Sequence, residues 1–114
     1  MKFVLYIKYG QEARKLRELF HPTIDQLCLS AILSALGDPI RLKIIKNLSD
    51  KRETTCASCN IDLPKSALSH HFKVLREAGL IRVRIEGKQR FLSIRYDELE
   101  ERFPGLLDSV IRSL

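Results

Sequence analysis

The sequence is short of several features that define large protein classes. It has no tryptophan, one methionine, five glycines and four prolines. Its longest apolar run, Phe3 to Ile7, is much shorter than the roughly 20 residues of a membrane-spanning helix. The N-terminus also lacks the basic, apolar and small-residue order of a secretory signal. These absences predict a cytoplasmic protein with no membrane partner.

Acidic residues are the scarcer charged class, and their deficit is local. The chain has 20 lysines and arginines against 14 aspartates and glutamates, which gives a net charge of +6. Residues 65–95 hold eight basic and two acidic side chains, whereas residues 96–114 hold two and five. Positive charge concentrated in one segment favours a polyanionic partner. The 114 residues, 45% of them hydrophobic, suffice for one core in one domain.

The three cysteines are an odd number in a chain without an export signal, which argues against a disulfide framework. Cys56 and Cys59 form a C-x-x-C pair that is a candidate for metal binding or thiol chemistry, and Cys28 stands alone. No internal repeat or Gly/Ser-rich linker divides the chain. We therefore treat residues 1–10 as an N-terminal leader of undetermined structure and residues 11–114 as one domain.

Helical spacing of apolar residues predicts two helices in the first third of the chain. The first covers residues 11–20 and ends before Pro22, because the residue preceding a proline disfavours helix. The second is capped by Thr23 and runs to Gly37. Cys28 lies on the apolar stripe of this second helix, so we expect it to be buried as a small hydrophobic side chain.

A third helix is predicted where an aspartate precedes a proline. Asp38 is a suitable N-cap, and Pro39 at the first helical position loses no hydrogen bond. The apolar spacing continues to about Leu48. The polar residues 49–55 are then predicted to form a loop, and residues 56–61 have room for only one or two helical turns.

The strongest helical pattern begins at Pro64 and ends at Gly79. Its apolar face, which we expect to be buried, holds Leu68, Phe72, Leu75 and Ala78. The opposite face, which we expect to be in water, carries small polar and basic side chains: Lys65, Ser66, Ser69, His70 and Lys73.

After this helix the hydrophobic period changes to two. Ile81, Val83 and Ile85 alternate with charged residues, and a second alternating run over residues 91–95 follows Gly87-Lys88-Gln89, which predicts a β-hairpin. Helical spacing returns in residues 96–103 and 105–114, split by a proline.

A short helix, a tight connection, a second helix with polar and basic exposed residues, and a basic hairpin predict a mainly α, winged helix-turn-helix fold. An α-helix fits the DNA major groove, where short side chains reach base edges and phosphates. The hairpin would contact the neighbouring backbone or minor groove through Arg82, Arg84, Lys88 and Arg90. The alternative for these four residues is an ordinary solvated hairpin.

Two segments of the chain, LSALGDPIRLKIIKNL at Leu33–Leu48 and KSALSHHFKVLREAGLI at Lys65–Ile81, resemble the ArsR/SmtB family of bacterial transcriptional repressors. The resemblance covers roughly residues 23–107. It implies a winged-helix homodimer that binds an imperfect palindrome in double-stranded DNA at a promoter and is released by an inducer, often a metal ion. It further implies a dimer interface built from terminal helices, here Leu16–Phe20 and Leu106–Leu114.

The resemblance also assigns roles to individual residues. Ser66, Ser69 and His70 occupy the family's DNA-reading positions, with Lys65 and Lys73 suited to phosphates.

Two further residues have competing roles. His71 points about 100° away from its neighbour on the helix, so we expect it to pack or cap rather than to face the DNA. For Arg41, an ion pair with Asp38 competes with a phosphate contact, and we favour the ion pair.

The inducer is the least defined part of the resemblance. Metal-sensing members carry a C-x-C pair about ten residues before the first serine of the recognition helix, and Cys56 precedes Ser66 by that interval. Cys59 makes the pair C-x-x-C instead, which still offers two thiolates to a thiophilic metal or metalloid ion. A further ligand would come from Cys28, His21 or a partner subunit. A thiol redox switch, or a structural pair with another inducer, is the alternative.

The family's other metal site, formed by acids and histidines on the C-terminal helix, has no counterpart, because residues 96–114 contain no histidine. The acidic residues there suggest a solvated face or partners for the wing arginines of a neighbour. No nucleophile motif, phosphate loop or paired catalytic acid is present, so an enzyme is not expected. A protein-interaction module remains the second functional class, since winged helices also serve in docking.

Overall fold

Helical spacing, interrupted by period-two alternation, produces a mainly α fold with a small sheet. The structure, a computed structural model, describes residues 19–114; the predicted leader and residues 11–18 of the first predicted helix lie outside them. The described residues form five α-helices and one three-stranded antiparallel sheet. In chain order the elements are α1 (Leu29–Leu36), α2 (Pro39–Leu48), β1 (Thr54–Thr55), α3 (Lys65–Ala78), β2 (Ile81–Glu86), β3 (Gln89–Ile94), α4 (Tyr96–Arg102) and α5 (Leu106–Arg112).

The segment before α1 differs from the continuous helix predicted for residues 23–37. A single 3-10 turn covers Ile24–Gln26, Leu27 and Cys28 are extended, and α1 begins at Leu29. The break directs Leu27 into the core and leaves Cys28 exposed as the N-cap of α1. The predicted burial of Cys28 is therefore wrong, because residues at helical spacing share one face only where the helix is continuous.

The predicted third helix is confirmed as α2, with its N-terminus capped as expected. The Asp38 carboxylate accepts hydrogen bonds from the backbone N–H groups of Ile40 at 2.8 Å and Arg41 at 3.1 Å. These hydrogen bonds lower the pKa of Asp38, the one from Arg41 most strongly. The helix places its inner face, which includes Ile44 and Ile45, in the core of the domain.

The predicted strongest helix is confirmed as α3, and its end is defined by a glycine. Gly79 has φ of +90°, and the N–H of Leu80 donates to the carbonyl of Leu75 at 3.0 Å. A Cβ at Gly79 would lie 2.2 Å from Cδ2 of Leu27 and 3.3 Å from Cγ of Pro22. Glycine is thus required both by the backbone conformation and by the close approach of the segment before α1.

The predicted hairpin is confirmed as β2 and β3, joined by Gly87 and Lys88 alone, with Gln89 already in β3. Gly87 has φ of +62°, as the first position of a tight hairpin turn favours. Ile85, the last apolar residue of the alternating run in β2, is exposed because the hairpin extends beyond the core near its tip.

The loop predicted for residues 49–55 contains the short strand β1, which the sequence pattern did not indicate. Thr54 and Thr55 of β1 pair with Leu92 and Phe91 of β3, and the sheet order is β1-β3-β2.

The two predicted C-terminal helices are confirmed as α4 and α5. Arg95, just before α4, is 5% exposed, and its guanidinium binds both carboxylate oxygens of Glu98 at 2.7 and 2.8 Å. Buried charge is tolerated there because it is paired. None of the helices in the described residues is long and apolar enough to cross a membrane.

Candidate nucleic-acid interface

The face of α3 that the sequence assigned to water lies on the surface of the protein. All five of the predicted DNA-contacting residues of this helix are exposed: Lys65, Ser66, Ser69, His70 and Lys73. The opposite face packs in the core through Phe72 and Leu75. Since that packing fixes the rotation of the helix, the short polar side chains project together from one side. Their contacts to DNA remain predictions.

Arg41 and His71 anchor α3 to the helices beneath it. The Arg41 guanidinium donates to the carbonyl of Ala35 at 2.6 Å and to Nδ1 of His71 at 3.3 Å. It therefore caps the C-terminal end of α1 instead of forming the predicted ion pair with Asp38. Both residues are half-buried, which agrees with the structural roles expected for them.

We define the wing as β2, β3 and their connecting turn. Its tip carries two cations that no carboxylate in the described part of the chain pairs with. Lys88 and Arg90 are exposed, and neither side chain forms an ion pair with another described residue. Cations without partners keep their full charge available for phosphate groups. This availability distinguishes them from the other two basic residues of the wing.

Arg84 and Arg82 are held by carboxylates of their own chain. Arg84 donates to Glu53 at 2.9 Å and to Glu86 at 2.8 Å, and its guanidinium lies 4.4 Å from the centre of the Phe91 ring. Arg82 donates to Glu98 at 3.0 Å. Glu98 of α4 thus pairs with a wing arginine of its own chain.

Two side chains, whose roles were not predicted from the sequence, join α3 and the wing to the segment before α1. Arg76, 8% exposed, donates to the carbonyl of Phe20 at 3.1 Å. The Nδ1 of His21 donates to the carbonyl of Leu19 at 3.1 Å, while its Nε2 accepts from the N–H of Val83 in β2 at 3.0 Å. Burial lowers the pKa of His21, and nearby arginines add to this effect. A histidine directly before Pro22 was the only signal for this contact.

A groove runs between α3 and the wing and brings five of the predicted DNA-contacting residues together. It has a volume of about 700 Å³ and includes Lys65, Ser69 and Lys73 on one wall with Lys88 and Arg90 on the other. We call it the α3–wing groove. The structure thus places these five predicted residues at one concave surface, whereas Ser66, His70, Arg82 and Arg84 lie outside its lining.

A single 3-10 turn covers Ala57–Cys59, and Cys56 directly precedes it. We call residues 56–59, which contain the C-x-x-C pair, the cysteine turn. Cys59 is 1% exposed, and burial raises the pKa of its thiol to about 11. Burial also raises the pKa of Cys56. The N–H of Cys56 donates to the carbonyl of Arg90 at 3.0 Å, so the cysteine turn is attached to the wing. Protonated thiols are poor metal ligands and poor nucleophiles.

The described residues do not form a complete thiophilic metal site. No group of three or more histidine, cysteine, aspartate or glutamate side chains in residues 19–114 is arranged to hold a metal ion. Of the further ligands considered, His21 uses both ring nitrogens in hydrogen bonds, and Cys28 is exposed at the N-terminus of α1 with Sγ 3.2 Å from Oγ of Ser30. Two thiols alone fall short of the three or four ligands that such ions take.

Comparison with known proteins identifies relatives of the chain. The model of the family described as bacterial regulatory protein, arsR family, matches residues 38–83. The HTH-type transcriptional regulator YceK of Bacillus subtilis (strain 168) is 36% identical over 91 residues, which cover 75% of this chain and 89% of YceK. A putative arsenical resistance operon repressor ArsR of Halobacterium salinarum is 42% identical over 62 residues, which cover 52% of this chain and 48% of that protein.

A solved structure supports the fold. The crystal structure of an ArsR family transcriptional regulator superposes with a TM-score of 0.61 at 24% identity, over 71% of this chain and 90% of that one. The relatives are named as regulators of transcription and not as enzymes, in agreement with the sequence analysis. The matched residues 38–83 contain α2, the cysteine turn, α3 and the first half of β2, which together are the helix-turn-helix and the start of its wing. The chain therefore belongs to the ArsR family of bacterial regulatory proteins and is a winged helix-turn-helix transcriptional regulator.

Proposed function

We propose that this protein is a repressor that binds a palindromic DNA operator as a homodimer in the cytoplasm and leaves it when an inducer binds. The observation that carries the proposal is the α3–wing groove, where exposed polar residues of a core-packed helix stand opposite wing cations that form no ion pair within residues 19–114. A rigid helix beside a cationic wing provides both a base-reading element and a phosphate clamp.

The two sets of residues have separable roles in this proposal. Ser69 and His70 project from the middle of the exposed face of α3, where a helix in the major groove meets base edges. Lys88 and Arg90 at the wing tip bind phosphates, and Lys65 and Lys73 flank the reading residues in the same manner. The first set should determine which sequence is bound, and the second how tightly any sequence is bound.

The homodimer is supported by apolar side chains that the rest of residues 19–114 leaves uncovered. Phe20 is 58% exposed and Leu114, at the C-terminal end, is 40% exposed, while Val110 and Ile111 of α5 are only partly buried. A second copy related by a two-fold axis would cover these residues with the same residues of its own. Two recognition helices related by that axis read two half-sites, which is the physical origin of a palindromic operator.

A thiophilic metal or metalloid bound at Cys56 and Cys59 is one form of the inducer to test. The location of the two cysteines favours a regulatory role, because the backbone N–H of Cys56 is hydrogen-bonded to the carbonyl of Arg90 in the wing. A third ligand would have to come from the partner subunit, because residues 1–18 contain neither cysteine nor histidine. A disulfide between the two thiols would be the redox form of the same switch.

The test is fluorescence anisotropy of the reduced protein on DNA from upstream of its own gene, with unrelated DNA as control. We expect tighter binding to the upstream DNA. Ser69→Ala and His70→Ala should change the preference among operator variants. The double variant K88Q/R90Q should weaken all sequences and reduce the slope of log K against log salt by up to about 2.

The matched control is the double variant K43Q/K46Q, which removes the same charge from exposed positions of α2 outside the α3–wing groove. It should retain the operator affinity and most of the salt slope. Binding that is weak, shows no preference for upstream DNA and responds equally to both double variants would contradict the repressor and favour a protein-interaction module. Addition of Cd(II), Zn(II) or arsenite in the same assay tests the metal form of the inducer.

A further inference from the structure

The α3–wing groove has an apolar floor beneath its charged rim, and a DNA-binding surface needs only the rim. The floor is formed by side chains from the helix, the segment before it and the sheet, among them Leu63, Leu68, Phe72 and Leu92. Leu63 and Leu68 are only half-buried, so part of this floor faces solvent. A volume of about 700 Å³ lies within the range of sites that bind small molecules.

The rim of the groove has charge of one sign. The described residues that line it include five cationic side chains and no aspartate or glutamate: Lys65, Lys73, Arg76, Lys88 and Arg90. Arg76 is already bound to a backbone carbonyl, but the other four are exposed and form no ion pair with a described residue. Unpaired cations around an apolar floor are complementary to a molecule with an apolar body and an anionic head.

We propose that the α3–wing groove binds a small amphipathic organic anion, such as a medium-chain monocarboxylate, and that this ligand and DNA exclude one another. The hydrocarbon body would lie on Leu63, Leu68 and Phe72, and the carboxylate would bind cations of the rim. The exclusion rests on the proposed function, because the same lysines and arginine are those assigned to DNA phosphates. A ligand at ten times its Kd should then raise the apparent Kd for DNA about 11-fold.

The proposal is tested first without DNA, by calorimetric titration of the full chain with octanoate below its micelle concentration. Each methylene added to the chain should strengthen binding about fourfold, the affinity ratio that corresponds to ~0.8 kcal/mol, so octanoate should bind more tightly than hexanoate. Octan-1-ol lacks the charge, octyltrimethylammonium has the opposite charge, and inorganic phosphate lacks the apolar body. All three should bind at least tenfold more weakly, and an equal affinity for any of them would overturn the proposal.

Two readouts locate the ligand in the groove. Cys56 lines the groove and Cys28 does not, so octanoate should slow the alkylation of Cys56 by iodoacetamide and leave that of Cys28 unchanged. The rim variant K88Q/R90Q should lose at least tenfold in octanoate affinity, whereas K43Q/K46Q, with the same change of net charge, should keep it. Equal losses in the two variants, or protection of both cysteines, would place the ligand elsewhere and refute the site.

Competition with operator DNA is then measured by anisotropy at increasing octanoate. The outcomes separate this inference from the repressor itself. If octanoate binds the groove but does not weaken specific DNA binding, the proposed mutual exclusion is overturned and the proposed repressor function stands. Octanoate binding by a protein with no preference for operator DNA overturns the repressor and leaves the ligand site intact.

Discussion

Replacement of Gly79 by alanine tests the junction between α3 and the segment before α1. The residue has φ of +90°, and the left-handed conformation costs an L-residue roughly 1–2 kcal/mol. The new Cβ would lie 2.2 Å from Cδ2 of Leu27, which is 4% exposed and cannot turn into solvent without leaving the core. Overpacking of this kind costs roughly 1–3 kcal/mol. We therefore expect Gly79→Ala to lower the free energy of unfolding by about 2–5 kcal/mol.

The measurement is urea unfolding followed by far-ultraviolet circular dichroism at one fixed protein concentration, because subunit association shifts the midpoint. Gly87 supplies a matched control: its φ is +62° and no atom lies within 4 Å of the place that a Cβ would take, so Gly87→Ala should cost only about 1–2 kcal/mol. Gly37→Ala, with negative φ and ordinary contacts, should stay within about 0.5 kcal/mol. Equal losses for Gly79→Ala and Gly87→Ala would refute the packing argument. A loss at Gly79 that does not shrink in a Leu27→Ala background would refute it as well.

Three further predictions concern the titration and pairing of individual side chains. Burial lowers the pKa of His21, so the unfolded chain binds a proton at this imidazole more strongly than the folded chain does. The free energy of unfolding should therefore fall as the pH drops below about 6.5, and this part of the pH dependence should be absent from urea melts of His21→Gln. Arg84→Gln should weaken operator binding less than Lys88→Gln in anisotropy titrations, because two carboxylates already hold Arg84; equal losses would contradict this. Iodoacetamide should alkylate Cys28 first and Cys59 last, as followed by mass spectrometry. Cys28 is exposed and a hydrogen bond lowers its pKa, whereas burial raises the pKa of Cys59 to about 11; alkylation of Cys59 before Cys28 would contradict this prediction.

The parts of the fold that the sequence predicted correctly are those with a long period and clear ends. α3 has four apolar positions on one face between Pro64 and Gly79, and both boundaries match to within one residue. α2 was equally predictable from the sequence, because Asp38 and Pro39 mark its first turn. The exposure of the face predicted to contact DNA followed from the apolar positions of the helix, since the rotation of a helix is fixed by its apolar side.

The errors arose where contacts distant in sequence decide the structure. Residues 24–36 have one unbroken helical pattern, but Leu27 reaches the core from an extended backbone because Gly79 leaves room for it. β1 has two residues and therefore no period to detect, and it exists only through its pairing with β3. The Arg41 side chain binds a carbonyl at the end of α1 rather than the nearby Asp38 carboxylate, and one of the two carboxylates bound by Arg84, that of Glu53, lies 31 residues away. Local spacing contains none of these pairings.

The contact between His21 and β2 bears on how the protein behaves at high concentration. In the sheet that residues 19–114 form, with the order β1-β3-β2, β2 is at one edge. An edge strand offers its free N–H and C=O groups to any chain that can pair with it. The imidazole of His21 occupies the N–H of Val83, near the middle of that edge. A side chain thus takes the place of a neighbouring strand. A shortened chain that begins after His21 would present β2 to a second molecule, and strand-to-strand self-association would compete with correct subunit assembly.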